Sequence, residues 1–471
     1  MTFDVVIVGG GISGLATAYQ LKCQGRRVVV LERQCHPGGN AVSERIGGFL
    51  MEHGPSTVAA ASTIATSLSR ELGIDGERCG LGDGVRRRYL VGGGALRGIP
   101  IHPLGFFLSN YLSLKGRLRL LAEIVLPPGD GGREETVADF CSRRFGRELA
   151  ERVIDPLVGG LYAGRARDLS VSAVFPRLVE LERDHGSVTR GLLHQRARGG
   201  RMPGSRLFSW RRGLGTLPQA LCRELGATVR TGVVVRRIRH AARRFTVDGG
   251  SAGTVEARAV ILATQAHVAA QLLGRLEGDA AAAAGEIHAP PLAVVFLGYR
   301  REQVDHPLDG LGFLAPHAEG RHLTGAQFCS TMFPGRAPAG FVAVAAFVGG
   351  ARAPDLARLP PGGLVDLGRS EFRELIGARG EPAVARVRHW PRGLPQYHLG
   401  HERLVTAVRA AEQSRPGLFV TGNYLAGPSV AACLGQACET SRRADKFLLG
   451  EVRPIKPAKP SGIGAYASTA A

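Results

Sequence analysis

Lysine is scarce in this chain. Only five of its 60 basic residues are Lys (22, 115, 446, 456 and 459), so the formal charge of +20 is an arginine charge. Such a balance suits association with an anionic substrate or surface and says nothing about fold. No basic stretch is interleaved with aromatics or carries zinc-finger spacing, which argues against a nucleic-acid partner. Cysteine is present at 23, 35, 79, 141, 222, 329, 433 and 438 but never as Cys-x-x-Cys, and reduced thiols in a cytoplasm fit best. No apolar run approaches the roughly 20 residues of a membrane-spanning helix. The longest candidate, 104–114, is too short and contains Asn110. The first residues already read as a strand, which argues against a signal peptide. Internal repeats are lacking, and the 66 Gly follow no period, which excludes a fibrous protein.

What is present is a globular composition. Hydrophobic residues make up 44% of 471, enough for a real core spread over about two to four domains. Residues 4–32 read as strand, glycine loop, helix, strand. The run DVVIV is continuously apolar, as a buried parallel strand requires, and Gly9-x-Gly11-x-x-Gly14 follows it and opens a helix. In this pattern Gly9 makes the tight turn, Gly11 admits a pyrophosphate close to the backbone, and Gly14 lets helix and strand pack. The helix N-terminus supplies free amides to the phosphates. Glu32, closing RVVVLE, is placed to accept hydrogen bonds from a ribose.

Both NAD and FAD use this fingerprint, and two features favour FAD. A second glycine pair, Gly38-Gly39, follows the acid. LFVTGN at 418–423 reads as a strand ending in Gly422 and Asn423, where many flavoproteins approach the flavin's pyrophosphate and ribityl chain. GGGALRG at 92–98 lacks the fingerprint spacing and reads as a turn, leaving one dinucleotide site. Electrons must then leave to dioxygen, a quinone or a protein.

Elsewhere, 95–200 looks mainly helical, with Leu and Arg at helical spacing. A helix is expected over 214–226, short strands near 233–235 and 245–247, a buried strand ending at Thr264, several strands over 288–350, and a helix from about 430 to 449. The tail at 453–471 reads as disordered.

These segments together resemble the oxygen-dependent protoporphyrinogen oxidases of the amine oxidase-like flavoproteins. The resemblance runs from about residue 3 to 448. It is most specific in DPLVGGLYAGRARDLSVSAVFPRLVELERDHGSV at 155–188, and it extends through RRYLVGGGALRGIP, FCSTMFPGRAP and LFVTGNYLAG. It implies an α/β fold with three parts. A discontinuous Rossmann-like FAD-binding domain takes 1–85, 205–275 and 405–450. A mainly helical, membrane-associating domain takes 86–204, and a mixed-sheet substrate domain takes 276–404, with a disordered tail from 451. It also implies oxidation of an anionic tetrapyrrole, protoporphyrinogen, in three flavin cycles with dioxygen as acceptor. Coproporphyrinogen, or another polycyclic substrate of a desaturase, stays open. Two departures bear on this: His36-Pro37 precedes the second Gly pair, and Gly427-Pro428-Ser429 replaces the family's usual turn near the flavin.

Carried over residue by residue, the resemblance gives Arg88 (with Arg87 as its neighbour) a substrate propionate and Phe333 a ring that packs on the tetrapyrrole. Gly160 falls in a loop bordering flavin and substrate. Ser13, Val234 and Val430 join the cofactor contacts. His398 and His401 have the spacing of a metal pair but no third ligand. No acid–base pair stands out, as suits hydride transfer by a cofactor. Peripheral attachment to the inner face of the cytoplasmic membrane is expected through the amphipathic, basic stretch 104–126 with Lys115, Arg117 and Arg119. A homodimer is left open.

Overall fold

The computed structural model describes residues 2–100, 103–109, 111–129, 132–197 and 207–450. The tail expected to be disordered and Asn110 lie outside these residues. In chain order the elements that build the site are β1 (Thr2–Val8), α1 (Ile12–Cys23), β2 (Val28–Leu31), the hairpin β3 (Ser43–Ile46) and β4 (Phe49–Glu52), β5 (Arg87–Gly92) and β6 (Ala95–Ile99). The helices α2 (Leu114–Leu121), α3 (Val137–Phe145), α4 (Asp155–Tyr162), α5 (Pro176–His185), α6 (Val188–Ala197) and α7 (Thr216–Leu225) follow. Then come β7 (Val229–Arg230), β8 (Arg237–Ala241), β9 (Arg244–Asp248), β10 (Thr254–Leu262), β11 (Leu292–Arg300), β12 (Gly310–Leu314), β13 (Leu323–Gln327) and β14 (Phe341–Gly349). The chain closes with α8 (Pro361–Ile376), β15 (Val384–Trp390), α9 (His401–Ser414), β16 (Leu418–Val420) and α10 (Val430–Leu448).

The first sheet is drawn from three distant stretches, in the order β7-β2-β1-β10-β9-β8, with β16 added beside β10. Its core pairs are parallel: Val5 to Val8 of β1 face Val28 to Leu31 on one side and Ala259 to Leu262 on the other. All of these residues are buried, which is why the strands read as unbroken apolar runs. Helices α1 and α10 cover one face, through Leu15, Leu21, Leu434, Ala437 and Ala444.

The second sheet runs β15-β11-β14-β13-β12-β5-β6 and is antiparallel except where β12 meets β5. The glycine-rich turn at 92–95 therefore joins two strands of this sheet, and the helical region expected from 95 starts only after them. Residues 233–235 are not a strand either; the edge strand begins at Arg237.

The helical region between the sheets is held by two consecutive arginines. Arg143 bridges Glu135 and Glu182 at 2.6 and 2.7 Å. Arg144, wholly buried, donates Nε to Oε1 of the equally buried Glu123 at 2.9 Å. Glu123 also accepts from Ser187 Oγ (2.7 Å) and from the first amides of α6, those of Val188 and Thr189 (3.0 Å each). Burial alone opposes ionisation of Glu123, but the bonds from Thr189, Ser187 and Arg144 outweigh it and hold its carboxyl down at about 2. No helix among the described residues is long and apolar enough to cross a membrane.

Candidate active site

The site begins at the turn after β1. Gly9 has φ +107°, and a Cβ there would stand 2.5 Å from the Ala263 carbonyl at the end of β10. A Cβ on Gly14 would strike the Gly9 carbonyl, so this residue seats α1 against the sheet. Gly11 caps α1 without a side-chain hydrogen bond. Gly11, Ile12 and Ser13 line a cavity of about 960 Å³, so the first-turn amides are offered to it. Glu32 is buried at the end of β2. Its Oε2 accepts from the Gly10 amide at 2.6 Å and its Oε1 from the Gln34 amide at 2.8 Å. The second glycine pair crosses over the first, with Gly38 N donating to Gly10 O at 2.7 Å. Val233 to Val235, misread as strand, form part of the cavity wall.

From the other end of the chain come Gly422 and Asn423, at the tip of β16, and the start of α10. Ser429 Oγ caps this helix by accepting from Ala432 N at 3.1 Å, and Gly427, Pro428, Ser429 and Val430 all face the cavity. The Gly-Pro-Ser departure is thus a helix cap. Cys433, one turn in, is pushed up to about 11 by burial and presents a neutral thiol. The cavity wall so takes in Gly9, Gly11, Ser13, Glu32, Gly38, Gly39, Val234, Gly422, Asn423 and Val430, while Gly14 packs behind it.

Past this end the cavity continues as an apolar arm between the helical region and the second sheet. Gly160 of α4 stands on its wall, where a Cβ would collide with Leu314 of β12. Asp155 accepts from Arg352 at 2.8 Å, which ties α4 to the far sheet. Opposite are Leu292, Val294, Phe347 and Trp390, the last fixed by an indole bond to His53 O at 2.8 Å. Phe175, Arg177 and Leu178 of the α5 entry close the arm.

Two expected substrate contacts, Phe333 and Arg88, are not among the residues lining this cavity. Phe333 is outside this cavity, buried beside Arg336, whose guanidinium carbon is 5.4 Å from the ring centre. Arg336 in turn pairs with Glu52 at 2.8 Å, and the ring packs on that pair. The second sheet presents Phe347 to the cavity instead. Arg88 stands in β5 away from the wall, half-buried, with Nε unpartnered among the described residues. Burial lowers its guanidinium from the ordinary value. Its neighbour Arg87 is exposed, 3.6 Å from Asp309. Of the histidine pair, His401 is buried against Tyr397, ring centres 4.6 Å apart, and burial pulls it down to about 4. Among the described residues no three His, Cys, Asp or Glu side chains gather where a metal ion would sit.

Residues 12–444 match the profile of the family described as flavin containing amine oxidoreductase. This chain belongs to that family. It is an FAD-dependent oxidoreductase, and the glycine loops, Glu32 and the start of α10 are the residues that fit the dinucleotide. The chain is 32% identical over 477 residues to the chloroplastic protoporphyrinogen oxidase of Oryza sativa subsp. japonica, covering 94% of this chain and 88% of the relative. Coproporphyrinogen III oxidase of Bacillus subtilis is 26% identical over 92% of this chain and 96% of its own length. Among solved structures, a protein of Exiguobacterium sp. superposes with TM-score 0.81 at 23% identity, covering 95% of this chain and 99% of that one. Cyclohexylamine oxidase of Brevibacterium oxydans superposes at 0.71 with 18% identity, over 96% and 100%. These likenesses show a shared fold.

Proposed function

We propose that this flavin oxidase of tetrapyrrole biosynthesis converts protoporphyrinogen IX to protoporphyrin IX with dioxygen as acceptor. The carrying observation is the apolar arm that prolongs the FAD cavity between α4 and the second sheet, walled by Gly160, Phe347 and Trp390. Such an arm suits a large, mostly apolar tetrapyrrole macrocycle brought up to a flavin. Bound FAD would supply the hydride acceptor, held by the glycine loops, Glu32 and the start of α10. The chain's own part is to orient the ring and exclude water, since among the described residues the only acid on the cavity wall is Glu32, at the nucleotide end. Removing six hydrogens per macrocycle calls for three dioxygen molecules and yields three hydrogen peroxide. The relatives bearing either porphyrinogen's name support the reading, and coproporphyrinogen III is the runner-up because its named oxidases align over nearly the whole chain.

The same reading includes attachment to a membrane face. Leu114, Leu118, Leu121 and Val125 form an exposed stripe along α2 and the turn after it, with Leu193 of α6 also exposed. The basic contribution is smaller than expected, because Arg119 turns inward to the carbonyls of Arg143 and Arg144. The test of the function is direct. Purified, FAD-loaded protein is mixed in air with each porphyrinogen, and porphyrin fluorescence and peroxide are followed. Faster porphyrin formation from protoporphyrinogen than from coproporphyrinogen is expected, and no rate above spontaneous oxidation with either would overturn the proposal.

A further inference from the structure

Among the described residues, the helical side of the cavity arm is lined between residues 106 and 192 by a single charged side chain, Arg177. Its surroundings there are Phe175, Leu178, Leu181 and Leu192. On the facing sheet Leu292, Val294, Thr324, Gln327, Phe347 and Trp390 are all neutral, and Arg392, just past β15, lines the cavity within electrostatic reach of His267, as does Arg33, toward the nucleotide end. Arg177 is the second residue of α5, whose first turn no side chain caps. Its ion pair is with Glu180 at 3.2 Å, three residues along the same helix, and the Arg177 side chain keeps 42% exposure. A partly exposed pair of this kind contributes little, so the guanidinium is free to exchange Glu180 for a better-placed carboxylate. Arg88, in contrast, is not among the residues that line this cavity.

We infer that Arg177 is the carboxylate anchor of the arm and selects a substrate whose anionic groups share one edge. The inference rests on the porphyrinogen reading and sharpens it. A carboxylate taken into an apolar space without a partner is strongly disfavoured. Protoporphyrinogen carries two propionates, on neighbouring pyrroles, and only methyl and vinyl groups on the other two. Coproporphyrinogen carries a propionate on every pyrrole. One arginine at the rim of an apolar arm accommodates the first pattern and leaves charges stranded in the second. The fork of the guanidinium accepts a carboxylate through two parallel bonds, which an ammonium does not reproduce.

The experiment titrates FAD-loaded wild type, Arg177→Ala and Arg177→Lys with protoporphyrin IX and with its dimethyl ester, reading porphyrin fluorescence. Arg88→Ala is the control, and flavin content and melting temperature report folding. Arg177→Ala should weaken diacid binding about 10- to 150-fold, the range of a charged hydrogen bond, and leave the ester unchanged. Arg177→Lys, which keeps charge and most of the volume, should fall between. In turnover KM should rise with kcat kept, since the bond is made alike in ground and transition states. Coproporphyrin III should bind wild type more weakly than protoporphyrin IX. An equal loss for diacid and ester would make Arg177 a packing residue and overturn the anchor. So would unchanged binding, or a loss at Arg88→Ala in its place. Wild-type protein that neither binds the porphyrins nor oxidises the porphyrinogens would instead overturn the porphyrinogen reading, and the anchor with it.

Discussion

Glu32 spends one oxygen on the Gly10 amide and the other on Gln34, so it shapes the glycine loop as well as offering acceptors to a ribose. Glutamine at this position turns an acceptor into a donor facing an N–H. Glu32→Gln is expected to cost about 10- to 150-fold in FAD affinity, measured by flavin fluorescence released on dilution, with the circular dichroism of the fold retained. His401 gives a pH signature. Buried against Tyr397, it is held at about 4, below the roughly 6.5 of an unfolded chain. Its neutral form is the folded one, so its contribution is whole above about pH 6.5 and drains as pH falls toward the folded value. Urea midpoints between pH 7 and 4 should fall less steeply for His401→Phe than for wild type; parallel slopes would count against this. Glu32 and the glycines were legible because their meaning is local, fixed by distance along a strand–turn–helix unit. Phe347 was not. On β14 both faces are buried, Ala345 and Phe347 toward the cavity side and Val344 and Val348 toward α8, so no alternation of polarity tells which way the ring points. Phe333 sits just past a short helix beside Arg336, on a small pocket that shares Val294, Gln327 and Phe347 with the cavity wall. Arg177 was hidden among 55 arginines, since only the fold shows which one faces an apolar arm.

The first turn of α6 is completed by a residue more than 60 positions upstream. Glu123 accepts its opening amides and neutralises Arg144, so one carboxylate joins α2, α3 and α6. Removing one partner of a buried ion pair typically costs about 3–5 kcal/mol, and Glu123→Ala should show it as a lowered melting temperature, with faster hydrogen exchange over 137–197 than in the sheets. A carboxyl held at about 2 lies below its ordinary 4.5. This contribution is therefore complete above about pH 4.5 and is lost as pH falls from there toward 2. The helices of this region were readable from the spacing of Leu and Arg. The network was not, because Glu123 and Arg144 look like any surface pair in an Arg-rich chain. The strand at 95–99 was missed for a different reason: ALRGI is short and half-exposed, and its pairing with β5 is decided by the Gly93-Gly94 turn. The stretch 233–235 errs the other way, three valines that wall a cavity without a strand partner.

At the scale of the molecule, the exposed stripe on α2 is the feature that an aqueous surface explains least well. Wild-type protein should float with anionic liposomes at low salt. Leu118→Glu combined with Leu121→Glu should leave it at the bottom of the gradient with its flavin intact. Flotation of both alike would remove the stripe from the contact. One sheet draws its strands from distant segments of the chain, and its central strands read in the sequence as plain apolar runs. Residues 87–99, read with the helical stretch, are strands of the second sheet, because the partners of β5 in β12 lie over 200 residues away and are invisible to local spacing.

Thr17 of α1 and Ala437 of α10 touch although 420 residues separate them. The glycine loop is synthesised before α10, so half of the dinucleotide cradle exists hundreds of residues before the other half. A nascent chain has no complete place for FAD until its C-terminal helix is out. Cofactor capture then waits on α10, and the bound dinucleotide works as a clasp between the glycine loop and that helix. Pairings of such long range also form slowly, which gives free FAD in the folding mixture a part in setting how much chain reaches the native state.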